Sequence, residues 1–225
     1  GGYPPRIDMS APVLSPSEEN IAVAAACVRD GGVVVAPSDT NMALTVAPDY
    51  ESAIDRAYEI KDRPLSKPLT LFVREPDDWR RFGRHDDPAL VDALADAFWP
   101  GPLNLVLERD APALDDRCAM DGTVSVGCLA NPVWREFADA VGGPVAMTSA
   151  NRSGTVPDDR LVDVDLAVDH VGDGVDYVLR GEPDGTTRAS TILSLADGGP
   201  DKATILRRGD LTADAVESAA PVRVD

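Results

Sequence analysis

Lysine is nearly missing from this chain. Only Lys61, Lys67 and Lys202 are lysines, and arginine fills the other 18 basic positions. Histidine occurs twice, at His85 and His170, and the three cysteines Cys27, Cys118 and Cys128 form no CxxC pair. Zinc held by protein needs about four nitrogen or sulfur ligands at close spacing, so no metal site is expected. Three cysteines cannot all pair within one chain. They read as reduced, buried thiols, which points to the cytoplasm. No apolar run of about 18 residues is present to span a membrane. No basic stretch followed by an apolar one opens the sequence as a secretory leader would.

What is present is a large acid excess and enough apolar residues for a core. Apolar side chains make up 44% of 225 residues, and the net charge is −18. That length suits one domain, with a loose arm over 1–14, a folded unit over 15–212 and a C-terminal tail over 213–225. The charge repels nucleic acid and anionic membranes over most of the surface. Direct nucleic-acid binding is therefore not expected, and an anionic ligand needs a local basic pocket.

Helix and strand signals interleave. Ser15, Pro16 and Glu18 read as a helix cap, a first helical position and a capping-box acid, followed by Ile21, Ala24, Ala25 and Val28 at helical spacing. Short branched runs predict strands at 33–36, 69–73, 103–107, 123–128, 145–147, 177–179, 190–195 and 203–207. Helices are predicted over 48–60, from the Asp87-Pro88 cap to 98, from the Asn131-Pro132 cap to Gly142, and over 161–170. The Asp/Gly stretches 169–176 and 196–202 read as surface loops. The pattern is α/β: a single-domain, mixed sheet with helices covering it.

Four segments are unlike ordinary α/β filler. PSDTNMAL (37–44) puts Ser38, Asp39 and Thr40 after a buried strand, where ligands sit in open sheets; a plain Ser/Asp turn is the alternative. KDRPLSKPL (61–69) gathers Lys61, Arg63 and Lys67 between prolines that forbid a continuous helix. Two of three lysines in one stiff loop favour phosphate binding over solvated surface charge. WPGPLNLVL (99–107) is a fixed turn between helix and strand. TSANRSG (148–154) offers Thr148, Ser149, Asn151 and Ser153, whose side chains and nearby amides can cradle phosphate or ribose, although a Ser/Asn turn reads equally well.

In this order, with VSVGCLANP (124–132), STILSL (190–195) and ILRRG (205–209), these segments resemble the YrdC family, the threonylcarbamoyl-AMP synthases, over about 17–211. The resemblance implies a twisted mixed sheet with helices on both faces and a large concave cavity. It implies a reaction of ATP, bicarbonate and L-threonine that releases pyrophosphate, with Mg²⁺ carried on the ATP phosphates. A partner protein would then transfer the threonylcarbamoyl group to adenosine 37 of tRNA. Carried over position by position, Lys61 and Arg63 would hold phosphates and carbamate as the catalytic pair. Lys67, Thr148, Ser149, Asn151, Ser190 and Arg207 would bind nucleotide. Ser38, Thr40 and Met42 would line the amino-acid end.

The chain departs from the family pattern in places. Met42 stands for a Tyr, Ala43 for a Gly, Asn41 for an apolar residue, Gly127 for an Arg, Leu129 for a Pro and Ser194 for an Asp. The phosphate loop is kept while the acceptor side is changed. Met42 as an apolar wall and Gly127 as open, uncharged space predict relaxed selectivity for L-threonine. Two other readings stand beside threonylcarbamoyl-AMP synthesis. One is a specialised homologue that activates another amine or carbamoyl phosphate as an adenylate. The other is a non-catalytic nucleotide- or RNA-binding relative, whose RNA version the acid excess opposes.

Overall fold

A computed structural model describes residues 10–183, 185–196 and 199–225. In chain order its elements are β1 (Val13–Leu14), α1 (Glu18–Arg29), β2 (Val34–Ala36), β3 (Ala43–Val46), α2 (Glu51–Lys61), β4 (Thr70–Phe72), β5 (Gly83–Arg84), α3 (Pro88–Phe98) and β6 (Gly101–Arg109). There follow β7 (Thr123–Cys128), α4 (Pro132–Val141), β8 (Val145–Ser149), α5 (Val164–Val171), β9 (Tyr177–Leu179), β10 (Thr191–Ser194), β11 (Lys202–Arg207), α6 (Ala213–Ala219) and β12 (Arg223–Val224). Residues 1–9 of the expected arm, and 197–198 of the loop expected at 196–202, lie outside the described residues. Among those described, no helix is long and apolar enough to cross a membrane.

The strands form one sheet in the order β1-β9-β2-β3-β8-β4-β7-β6-β10-β11-β12, with β5 on β6. It is mixed. The pairs β2/β9, β4/β7 and β6/β10 are parallel, while β2/β3, β3/β8, β4/β8 and β6/β7 are antiparallel. Side chains alternate between its faces. Val35, Leu44, Leu71, Ala146, Leu105 and Val126 point into the larger core, under α2, α3, α5 and α6. Val34, Ala43, Phe72, Val145 and Met147 point the other way, under α1 and α4.

The helices follow from their sequences. α4 buries Trp134, Phe137, Ala138 and Val141 at helical spacing, and Asn131 caps it by accepting from Val133 N and Trp134 N at 3.0 and 3.1 Å. Gly142, at φ +78°, stops it in the left-handed conformation that glycine adopts without strain. Burying each large apolar side chain of this face is worth roughly 1.5–3 kcal/mol. In α1 the cap is Ser17 and not Ser15: Ser17 Oγ accepts from Asn20 N at 3.2 Å. Asn20 Nδ2 donates back to Ser15 O at 3.0 Å, which keeps 15–16 outside the helix.

The segment expected as a C-terminal tail carries α6 and β12, with Val216 buried and β12 paired to β11. Residues 13–14 of the expected arm pair with β9.

One asymmetry positions the site. The apolar cluster beneath α1 and α4 takes residues from β9, β2, β3, β8 and β4, but none from β7, β6, β10 or β11. On that face the second half of the sheet has no helical cover among the described residues. Its outward positions carry Ser125 and Asn104, beside Thr70 on β4.

Candidate active site

The uncovered half-face is the floor of a cavity of about 360 Å³. Thr70, Ser125, Asn104, Val106, Met147 and Ile192 form the floor, with Thr70 Oγ1 donating to Ser125 Oγ at 3.5 Å. Arg63, Lys67 and Pro68 stand on one side. Ser38, Thr40 and Asn41 enter from the end of β2, and Thr148, Ser149 and Asn151 from the end of β8. Ser190, Arg207, Asp158 and Arg160 complete the lining from the far side.

Local bonds fix each wall. Asp39 is buried under Ser38–Thr40, and its carboxylate accepts from Ala130 N at 3.0 Å and Asn131 N at 2.7 Å. Burial pushes its carboxyl above the ordinary range, against the pull of these amides. Asn131 Nδ2 donates to Ser38 O at 3.2 Å, so the start of α4 is tied to the β2 end. Thr40 N donates to Ser38 Oγ at 3.1 Å. The 152–163 segment is held by Val162 N donating to Asn41 Oδ1, and by Met42 N donating to Val162 O, both at 2.8 Å.

The cationic loop starts where Asp62, at φ 50°, ends α2. Arg63 clamps it, donating from Nε to Lys67 O at 3.1 Å and from its terminal nitrogen to Pro68 O at 2.7 Å. Arg207 Nε donates to Ser190 O at 2.8 Å. Lys61 is 1% exposed, and its ammonium donates to Thr148 Oγ1 at 2.9 Å, Ser149 Oγ at 3.3 Å and Ser149 O. Burial, reinforced by the Arg63 and Lys67 charges, brings its pKa down to about 7. Burial also holds Arg63 and Arg207 below their ordinary values. Among the described residues none of Lys61, Arg63, Lys67 and Arg207 forms an ion pair within 4.0 Å. Asp158, whose charge partly offsets that of Arg207, is the one carboxylate among the described lining residues.

Nine of the eleven residues that the resemblance assigns to the site meet at this cavity: Ser38, Thr40, Arg63, Lys67, Thr148, Ser149, Asn151, Ser190 and Arg207. Two do not. Lys61 lies behind the wall, beneath Thr148 and Ser149, so its ammonium is not on the cavity surface. Met42 is 3% exposed and packs into the core of the opposite face, because alternation gives the cavity side to Ala43. Gly127 does not open space either: a β-carbon there would meet the Phe72 ring at 2.6 Å. Met42 therefore does not line the acceptor end, and Gly127 does not widen it as expected. Thr70, Ser125 and Asn104 went unnoticed, although period-two alternation in 101–109 and 123–128 marks the last two as outward polar positions. Arg160 and Asp158 sit in an irregular segment with no local signal. No cluster of three His, Cys, Asp or Glu side chains able to hold a metal exists among the described residues.

The Sua5/YciO/YrdC family model, described as "Telomere recombination", matches residues 26–209. A threonylcarbamoyl-AMP synthase of Bacillus subtilis is 30% identical over 218 residues, covering 94% of this chain and 60% of its own length. One from Marinobacter nauticus is 27% identical, covering 84% of this chain and 97% of its own length. The crystal structure of Pyrococcus abyssi Sua5 complexed with L-threonine superposes with a TM-score of 0.81 at 24% identity, over 96% of this chain and 62% of that one. The chain thus spans about three fifths of the Bacillus and Pyrococcus relatives.

Proposed function

The chain belongs to the Sua5/YciO/YrdC family, and on that premise we propose that it forms threonylcarbamoyl-AMP from ATP, bicarbonate and L-threonine, releasing pyrophosphate and water. The observation that carries this reading is the convergence of Arg63, Lys67 and Arg207 on one cavity, with Lys61 behind them, unpaired, in a chain of charge −18. Arg63 and Arg207 are partly buried, and Asp158 is the one carboxylate among the described lining residues to offset the charge of this wall, which makes the wall costly to leave empty. A polyphosphate offsets that cost.

The chemistry needs little from side chains beyond placement and charge. The threonine amine adds to the carbon of bicarbonate, and water leaves, giving a carbamate. A carbamate oxygen then attacks the α-phosphorus of ATP, and the bond to the β-phosphate oxygen breaks to release pyrophosphate. Positioning and electrostatic stabilisation carry most of such a barrier. In this reading Arg63, Lys67 and Arg207 hold the phosphates as negative charge gathers on the leaving group. Ser149 donates its hydroxyl proton to phosphate while its oxygen accepts from Lys61, and Thr148, Asn151 and Ser190 contact the nucleotide. Lys61 acts as a positioning residue for the end of β8. Ser38 and Thr40 face the acceptor. ATP would enter with Mg²⁺ on its phosphates, and Asp158 is the one carboxylate among the described lining residues. The product is a mixed anhydride, so a downstream carbamoyl-transfer protein has to consume it, with tRNA adenosine 37 as the final acceptor. The free thiols of Cys27, Cys118 and Cys128 suit a reducing, cytoplasmic setting.

Pyrophosphate release tests the reading. It should require ATP, bicarbonate and threonine together, with a carbamoyl-adenylate detected by mass spectrometry. Turnover of ATP that ignores bicarbonate, or none with any amine, would overturn it.

A further inference from the structure

Resting on that reading, we propose that Asn104 is the specificity-determining residue for the acceptor: its carboxamide hydrogen-bonds the uncharged polar end of the amine, the side-chain hydroxyl of a β-hydroxy amino acid.

Strand register sets the geometry. Phe72 pairs with Gly127, Gly127 with Asn104, Asn104 with Ile192, and Ile192 with Arg207. These five residues lie abreast across β4, β7, β6, β10 and β11. Phe72, Asn104, Ile192 and Arg207 all line the cavity. Asn104 is 6% exposed, and its Oδ1 is buried with no hydrogen-bond partner in the protein. Buried amides are almost always bonded, and one left open is costly. The two ends of a carboxamide exchange roles by a half-turn about its last bond. Asn104 can thus present either a donor or an acceptor to a molecule on the floor. An adjacent hydroxyl, which both donates and accepts, matches it in either orientation.

The neighbours define what else fits. Phe72 and Ile192 flank Asn104 with apolar surface, and the adjacent row carries the neutral Thr70, Ser125 and Val106. The nearest cation in the row is Arg207, two strands away at about 10 Å, and its Nε is committed to Ser190 O. A carboxylate placed on Asn104 would find no cation on either neighbouring strand at this level. A hydroxyl, with its methyl group against Phe72 or Ile192, needs none. Gly127 is the condition for this arrangement, because a β-carbon there would stand 2.9 Å from Asn104 Oδ1.

The test compares L-threonine with L-valine, which carries a methyl in place of the hydroxyl, and with L-2-aminobutyrate, which lacks it. Pyrophosphate release and equilibrium binding are both read in the full chain, in the presence of ATP. The unsubstituted protein should prefer threonine by at least about tenfold. Asn104→Leu should reduce that preference to near unity with the KM for ATP unchanged, and Asn104→Asp should keep part of it. Asn104→Ala, which adds no bulk, guards against a misfolded leucine variant and should behave likewise. An unchanged preference in the leucine and alanine variants would overturn the assignment, and so would a rise in the KM for ATP equal to the loss for threonine. A chain that binds threonine selectively but releases no pyrophosphate would refute the synthase reading and leave Asn104 decided by the binding data. A chain that shows no preference in binding would refute the role of Asn104.

Discussion

The Phe72 ring occupies the space beside Gly127: a β-carbon on that glycine would lie 2.6 Å from its Cε1. Phe72 in turn meets Trp134 of α4 edge-on, with centroids 6.4 Å apart. The ring therefore cannot swing aside without loosening the packing under that helix. This pair explains how the cavity floor is complete without the arginine that the family pattern carries at this position.

Restoring that arginine alone should be harmful. Gly127→Arg is expected to lower stability by about 1–3 kcal/mol or more, as overpacking does. Phe72→Ala also costs stability, by leaving a void of roughly 3–5 kcal/mol. In the double variant the void receives the new side chain, so the losses should not add. A double-mutant cycle from denaturant unfolding should give a favourable coupling of about 1 kcal/mol or more. Additive losses would show that Phe72 is not what excludes a side chain at 127.

The cations on the cavity wall should be needed in proportion to their burial. Arg63→Ala should lower kcat/KM for pyrophosphate release by at least about 10²-fold, the usual effect of removing one electrostatic stabiliser. Because Arg63 also bonds Lys67 O and Pro68 O, Arg63→Lys should recover only part of that loss: a lysine has the charge without the planar fork. Arg207→Ala should act in the same direction. Arg223, exposed on β12, is the control, and its alanine variant should retain full activity. Near-normal turnover in Arg63→Ala would remove the phosphates from this wall.

Asp39 should matter for stability more than for chemistry. Its carboxylate serves the amides of Ala130 and Asn131 and so joins the β2 end to the start of α4. Asp39→Ala leaves two inward amides unanswered, at about 1–3 kcal/mol. For a domain of this size that is roughly 2–4 °C of Tm per kcal/mol. Calorimetry that shows no change would mean the loop finds other partners.

Some of this architecture was legible in the sequence, and the reasons are local. The Asn131-Pro132 cap and Gly142 bracket α4, and β7 was read at its observed bounds because 123–128 alternates cleanly. The scarcity of lysine singled out the phosphate loop. β3 was missed because Ala43, Leu44, Thr45 and Val46 are all buried, so no polar alternation marks them, and Ala43 and Leu44 break the β-branched run that marks the equally buried β2. The side on which each residue of that strand falls was equally hidden, and this misplaced Met42. Lys61 and Arg63, two apart at a helix end, cannot share a direction; one faces the cavity wall from behind while the other stands on it. The short strands β1 and β12, two residues each, carry no pattern of their own and form only because an edge is already there to pair with.

Lys61 should give the protein opposite pH responses in stability and activity. Its ammonium has an acceptor for each of its N–H bonds at Thr148 and Ser149, yet burial dominates and sets its pKa near 7, against 10.5 in an exposed chain. Between those values the unfolded state binds more protons than the folded one, so stability rises with pH across that window. Below about 7 both states are protonated and the cost of the buried charge is constant. Measured against Lys61→Met, the Tm of the unsubstituted protein should therefore gain steadily from pH 7 to 10 and run parallel below 7. Activity should move the other way. The charged form organises Ser149 and adds positive potential to the phosphate wall, so kcat/KM should fall along an alkaline limb with an apparent pKa near 7. Lys61→Arg, charged throughout, should lack that limb. Arg63→Ala, by removing the cation next to Lys61, should shift it upward. A limb above pH 9 in the unsubstituted protein would show that the three acceptors outweigh burial, and that Lys61 stays charged under all working conditions.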